Sequence, residues 1–258
     1  MAKTDLGAKS VLDTLAIERP DVLHYVEPEL ISHEGKVMIF GPPATWKSFI
    51  TIDLAVSLVL GRKWLGTYQT VPSKVMIIQV EQSAVMYSIR LEKYLQGNRI
   101  SPRSLGSRLT IATQPDLMLD NMTGLSMLEE SIKKERPDVI GLDDLYRSVR
   151  TTSDDVHMKP FLGSIARLQK QYNFAWVMVH HPRKPGINPN GSKPHFDFNE
   201  AAGWAGISRW CDTILSINHL GGGMREVVDD KRKNTEEGGL LYIPQLTVDR
   251  KRLKFLVG

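Results

Sequence analysis

The chain predicts an α/β fold, a mainly parallel sheet flanked by helices with antiparallel strands toward the C-terminus. Three observations carry this. Apolar runs of strand length alternate with amphipathic stretches of about ten or more residues, the pattern of βαβ crossovers. The first strong run, Lys36–Phe40, turns into a helix through Gly41-Pro42-Pro43-Ala44-Thr45-Trp46-Lys47-Ser48, close to the phosphate-loop pattern GxxxxGK[ST]. Successive runs then end in the Gly41 loop, Glu81, Asp143 and His180, at the carboxyl ends where ligands of such sheets collect.

Taken in order, residues 1–34 form a lead-in: 10–17 are amphipathic and predict a short helix, and Pro20 and Pro28 break the pattern into extended chain. A single domain is expected over 35–258. After strand Lys36–Phe40, the loop helix runs from Lys47 to about Leu60 and stops at Gly61, a C-cap glycine. Trp64-Leu65-Gly66 reads as an apolar anchor folded back on that helix. Residues 75–80 are apolar apart from Gln79, as in a strand buried on both faces, and lead to Glu81. Helical spacing over 84–95 stops at Gly97-Asn98; 109–112 is a short strand and 125–134 a helix. The strand 138–142 delivers Asp143 and Asp144. Helical periodicity covers 154–172, with Pro160 expected to mark where the regular part begins. Residues 174–179 form a strand ending at His180-His181. A Pro/Gly-rich loop over 182–194 is too long for a tight connection. A short helix near 201–209 follows, then a strand over 212–217. Residues 224–230, 240–243 and 246–255 alternate as antiparallel strands do.

At 258 residues, 41% hydrophobic and 24% charged, the chain can bury one large core. It shows no export signal pattern, and no apolar run approaches the ~18 residues of a membrane helix, so a soluble protein of a cytoplasm is expected. The single cysteine, Cys211, leaves no internal disulfide framework. Net charge is +4, and Arg225, Lys231, Arg232, Lys233, Arg250, Lys251, Arg252 and Lys254 crowd the C-terminal end. Such a basic end suits a nucleic-acid surface, a contact reaching a neighbouring subunit's phosphates, or plain solubility.

In a phosphate loop, backbone N–H groups and the helix N-terminus point at a polyphosphate, the lysine reaches its terminal oxygens and the hydroxyl holds Mg²⁺. Gly41, Lys47 and Ser48 stand at the required spacing, and Trp46 fills the position where the pattern has its second glycine. A tryptophan there must aim its ring out of the loop, toward the pocket rim or a neighbouring subunit. Gly-Pro-Pro is also a common strand-ending turn and Lys-Ser a common helix start, so the motif by itself leaves a purely structural turn open.

From about residue 24 to the C-terminus the chain resembles RecA-like ATPases of the RepA/DnaB hexameric-helicase group, most closely the phage and plasmid branch of RepA-like AAA ATPases. The resemblance rests on Lys47-Ser48-Phe49 followed by Asp53-Leu54-Ala55 and Gly61-Arg62-Lys63-Trp64-Leu65-Gly66. It continues in Ile140-Gly141-Leu142-Asp143-Asp144-Leu145-Tyr146-Arg147 and Val179-His180-His181-Pro182-Arg183-Lys184. The chain departs from the family at Asn199-Glu200-Ala201-Ala202-Gly203-Trp204, where an Arg-Gly-Ser-Ser-like run is usual.

The resemblance implies a RecA-like fold, ATP and Mg²⁺ as cofactors, a homo-oligomer (a hexamer with nucleotide between subunits) and single-stranded DNA as partner, in a bacterial or archaeal cell carrying a phage or plasmid. Gly41 to Phe49 would hold the nucleotide, with Lys47 on the β/γ-phosphates and Ser48 and Asp143 on Mg²⁺. Asp144 is the better helix cap. Glu81 is the candidate general base, a carboxylate ending the strand beside the phosphate-loop strand; a solvated strand end is its alternative. His180 and His181 match a strand-end sensor position; since adjacent strand residues face opposite ways, at most one of them faces the phosphate, His180 being the candidate, and the other packs or meets the next loop. Lys231 and Lys233 share a strand face and match a cation pair acting in the neighbour's site; a solvated charge run is the alternative, and Arg250 and Arg252 are a weaker choice. Lys184, Lys193, Arg147 and Arg150 are available for DNA phosphates. Two further functions stay open: a filament-forming recombinase or annealing ATPase, and an ATP-binding regulatory or scaffold protein that hydrolyses little.

Overall fold

The computed structural model describes residues 7–181, 206–232, 242–249 and 253–257. In chain order come α1 (Val11–Leu15), β1 (His24–Val26), β2 (Ile31–Ser32), β3 (Lys36–Phe40), α2 (Lys47–Leu60), β4 (Val75–Gln79) and α3 (Ala84–Gly97). They are followed by α4 (Pro102–Leu105), β5 (Leu109–Thr113), α5 (Met122–Glu135), β6 (Val139–Asp143), α6 (Leu145–Ser148), α7 (Asp155–Tyr172) and β7 (Ala175–His180). Last come α8 (Gly206–Trp210), β8 (Thr213–Gly221), β9 (Met224–Arg232), β10 (Tyr242–Asp249) and β11 (Lys254–Val257).

Among the described residues, nine strands form one sheet in the order β11-β10-β9-β8-β3-β7-β6-β4-β5. From β5 across to β8 all pairs are parallel, and β9, β10 and β11 continue antiparallel, as the sequence predicts. Each central strand splits its apolar residues by parity. Val37, Ile39, Val75, Ile77, Val139 and Val177 join one buried cluster with α2 and α3, while Met38, Phe40, Met76, Ile78, Ile140 and Trp176 join a second with α5 and α7. Two covered faces explain why these strands read as unbroken apolar runs. Helix α2 is buried almost all round because the first cluster also holds Ile217, Val227, Ile243, Leu246 and Phe255 from the C-terminal strands. Gly61 caps it at φ 64°. Beyond it, Asp53 inside α2 accepts hydrogen bonds from Leu65 N–H and Arg62 (both 3.1 Å) and from the Tyr94 hydroxyl, fixing the Trp64–Leu65 anchor on the helix.

Several boundaries differ from expectation. The strand leading to Glu81 was expected beside the phosphate-loop strand, yet β6 and β7 stand between β3 and β4. Order along the chain gives adjacency in only about two-thirds of cases, and here both flanks of β3 are taken, by β7 and β8. Helix α7 starts at Asp155, ahead of Pro160, because the Asp154 carboxylate caps it through His157 N–H (2.9 Å) and only one N–H is lost at the proline. The lead-in carries the small β1–β2 pair, whose Tyr25 and Val26, with the neighbouring Leu30 and Ile31, are buried in the first cluster. The breaks expected in the C-terminal strands fall elsewhere: 242–249 is one strand with an irregularity between Ile243 and Leu246, and its partner begins at Lys254.

Strand register brings the site together. Phe40, just before Gly41, pairs with His180, and Gln79 pairs with Asp143. Because β7 lies between β3 and β6, the end of β7 sits between the phosphate loop and Asp143.

Candidate functional site

The loop leaving β3 is shaped by close approach and by left-handed backbone. A Cβ at Gly41 would stand 2.5 Å from the Ile217 carbonyl on β8, so only glycine fits there. Thr45 Oγ1 donates to the Pro42 carbonyl (2.8 Å), while Ala44 (φ 62°) and Trp46 (φ 68°) are both left-handed. For residues bearing a Cβ that backbone costs roughly 1–2 kcal/mol each. Helix α2 begins immediately after Trp46, leaving its first N–H groups facing the loop. Lys47 Nζ donates to the carbonyls of Gly41 (2.7 Å) and Pro42 (2.8 Å). Burial lowers its pKa to about 8, against the pull of Asp143, Asp144 and Glu81.

The Trp46 ring lies against strands of the same chain. Arg225 Cζ lies 4.4 Å from the ring centroid and the Phe255 ring 6.4 Å away. Arg225 Nη2 also donates to the Ala44 carbonyl (3.0 Å), and His219 Nε2–H to that of Pro43 (3.2 Å). The C-terminal strands thus grip the outer side of the loop.

On the other side stand the carboxylates. Asp143, 3% exposed, stands beside the Ser48 hydroxyl. Burial pushes its pKa up to about 6; the Ser48 hydroxyl opposes that, and the charges of Asp144 and Glu81 add to it. Asp144 is also buried, which pushes its carboxyl up. The hydrogen bonds from His181 Nε2 (2.8 Å) and Arg147 N–H (2.9 Å), with the Arg147 guanidinium charge, outweigh burial and hold it below the ordinary value. The Arg147 bond makes it the cap of α6. His180 is fully buried at the end of β7, and His181 turns to Asp144. Glu81 is exposed just beyond β4, close enough for its charge to act on both Lys47 and Asp143. The Gln79 amide, oriented with its nitrogen toward the Gln82 carbonyl (2.8 Å) and its oxygen toward Glu81 N–H (3.2 Å), fixes that turn.

The remaining expected residues are scattered. Arg147 and Arg150 are exposed after β6, and Arg150 is tied to Asp120 through its N–H (2.9 Å) and Nε (3.8 Å). Lys231 pairs by its backbone with Ile214; its side chain, Lys184, Lys193, Lys233, Arg250 and Arg252 lie outside the described residues.

Arg225 and Arg90 were missed as site residues. Arg90, on α3, stacks over Phe49 with Cζ 5.1 Å from the ring centroid, and its charge acts on Asp143. A signal existed for each. Arg225 stands in phase with core-facing Val227 on β9, and Arg90 shares the inward face of α3 with Tyr87 and Tyr94.

Among the described residues no three His, Cys, Asp or Glu side chains cluster as a metal site. Mg²⁺ needs no such cage, since it is usually held by one or two protein oxygens plus phosphate and water. The Ser48 hydroxyl beside the Asp143 carboxylate, next to Lys47, is a hard-oxygen pair that fits it.

No curated protein sequence matches the chain. Its structure is similar to the crystal structure of the RadB recombinase (TM-score 0.59, 15% identity, covering 87% of this chain and 91% of that one). It is similar also to a solved structure of an ATPase domain (TM-score 0.63, 10% identity, 87% and 85%). A third is the flagellar accessory protein FlaH from Methanocaldococcus jannaschii (TM-score 0.60, 13% identity, 88% and 90%). At these identities the likeness concerns the fold, which is the RecA-like P-loop one the sequence led to expect. Residues 2–186, more than half of the chain, match the family model described as AAA domain, and the chain belongs to that family.

Proposed function

We propose that the chain is a Mg²⁺-dependent ATP hydrolase acting on DNA, a hexameric translocase of helicase type serving replication of a phage or plasmid inside a bacterial or archaeal cell. The observation that carries this reading is the meeting of Lys47, Ser48 and Asp143 at the carboxyl edge of a parallel sheet, with Glu81 within electrostatic reach of Lys47 and Asp143. On nucleotide binding, Lys47 exchanges the Gly41 and Pro42 carbonyls for the β/γ-phosphates, and the loop N–H groups and the α2 N-terminus take the remaining phosphate oxygens. Ser48 and Asp143 would hold Mg²⁺, which would supply neutralisation of charge on the phosphates. Glu81, exposed at the turn after β4, orients and deprotonates the attacking water, and His180 senses the phosphate from between the loop and Asp143. Lys231 and Lys233 act on the neighbouring subunit's nucleotide, making hydrolysis depend on assembly. Arg147, Arg150, Lys184 and Lys193 contact DNA phosphates. No helix among the described residues is long and apolar enough to cross a membrane.

Two other readings each have an observation behind them. The similarity to the RadB recombinase structure favours a filament-forming recombinase or annealing ATPase. Trp46 in the glycine position, together with a likeness to a flagellar accessory protein, favours an ATP-binding regulator that hydrolyses little. ATPase rates with and without single-stranded DNA, and electron microscopy with a non-hydrolysable ATP analogue, separate the three. DNA-stimulated turnover with closed hexameric rings is expected; filaments would favour the recombinase, and bound nucleotide without turnover the regulator.

A further inference from the structure

Trp46 occupies the backbone position where the phosphate-loop pattern calls for glycine, at φ 68°, ψ 19°. That conformation is open to glycine and disfavoured for any residue with a Cβ unless its surroundings hold it there. The hold comes from outside the loop. Arg225, 8% exposed on β9, lies with Cζ 4.4 Å from the indole centroid. It also donates to the carbonyl of Ala44 (3.0 Å), the loop's other left-handed residue. Its Nη1 is anchored on the Met224 carbonyl (2.8 Å), and the Phe255 ring stands 6.4 Å from the indole. One buried cation therefore touches both left-handed residues of the loop. A guanidinium within ~6 Å of an aromatic centroid is attracted to it, more strongly when water is excluded.

We infer that Arg225 is a positioning residue for the phosphate loop: acting through Trp46, it supplies the conformational support that glycine makes unnecessary elsewhere, so β9 sets the nucleotide-binding shape of the loop. The inference rests on the nucleotide-binding reading above and assigns Trp46 a purpose beyond tolerance. Arg225 that merely stiffened β9, or that bound nucleotide itself, would matter equally with tryptophan or glycine at position 46. Arg225 that acts through Trp46 matters only while the tryptophan is present.

A double-mutant cycle on the full chain separates these, with dissociation constants for a non-hydrolysable ATP analogue and Mg²⁺ measured by calorimetry. Arg225→Ala is expected to weaken binding about tenfold or more, or about 1.4 kcal/mol. Trp46→Gly supplies the second background, and its own dissociation constant is the reference against which the double variant is read. The double variant should fall within about threefold of Trp46→Gly alone, a strongly non-additive result. Should Arg225→Ala lose its cooperative melting transition, Arg225→Met, which keeps length against the ring and drops the guanidinium, takes its place in the cycle. Equal losses from the Arg225 substitution in both backgrounds would overturn the inference while leaving the nucleotide reading intact. A native chain that binds no nucleotide would overturn both.

Discussion

Lys47 and Asp143 are displaced toward each other on the pH scale, one by burial of an ammonium and the other by burial of a carboxyl. Asp143 must be ionised to hold Mg²⁺ and Lys47 must be charged to bind phosphate. The kcat/KM for ATP is therefore expected to fall below about pH 6 and above about pH 8 in a pH–rate profile of the native chain. A profile flat across both limits would show that these groups do not control turnover. The sign for stability is separate. A carboxyl raised from 3.8 to about 6 favours the folded state below its ordinary value, and that contribution is lost as pH rises through about 6. Melting of the nucleotide-free chain should track this loss, and Asp143→Asn should remove it. Lys47, Ser48 and Asp143 were legible in the sequence because motif spacing and strand ends fix them. For Arg225 and Arg90 the sequence carried only a phase, in step with buried Val227 on β9 and with Tyr87 and Tyr94 on α3; their partners, Trp46 and Phe49, lie far away in the chain and are met only in the fold.

Among the elements, β3 and the loop after it are the most constrained. Gly41→Ala would push a methyl into the Ile217 carbonyl at 2.5 Å and should lower stability by about 1–3 kcal/mol, read as a reduced denaturation midpoint. A midpoint unchanged by this substitution would mean that the β3–β8 approach is looser than described. The strands and helices were largely legible from the sequence, because two-sided burial leaves continuous apolar runs and because Ser83, Asn121 and Asp154 cap α3, α5 and α7 through their side chains. Strand order was not legible. Nothing in the run ending at Glu81 says that β6 and β7 will insert between it and β3; that follows from which flanks of β3 the later strands occupy. The pair β1–β2 escaped notice for a simpler reason, since strands of three and two residues carry no periodicity.

Across the fold as a unit, the sheet brings the phosphate loop, His180 and Asp143 to its carboxyl edge, and Arg225 on β9 reaches the loop at the Ala44 carbonyl. If Lys231 and Lys233 reach a neighbouring subunit, replacing both by Ala should lower kcat by roughly 10³-fold or more with little change in nucleotide affinity. Steady-state kinetics and calorimetry on the same preparation check this, and an unchanged kcat would return the pair to a solvated charge run. Everything proposed for the chain depends on Lys47, Ser48, Asp143 and Glu81 forming an ATP-hydrolysing site. The decisive measurement is Mg²⁺-dependent ATP turnover, with nucleotide binding followed in parallel, for the native chain, Lys47→Ala and Glu81→Gln. Turnover is expected in the native chain, loss of binding in Lys47→Ala, and in Glu81→Gln retained binding with turnover reduced about 10²–10⁴-fold. A native chain that binds ATP yet does not hydrolyse it, with or without single-stranded DNA, would contradict the assignment.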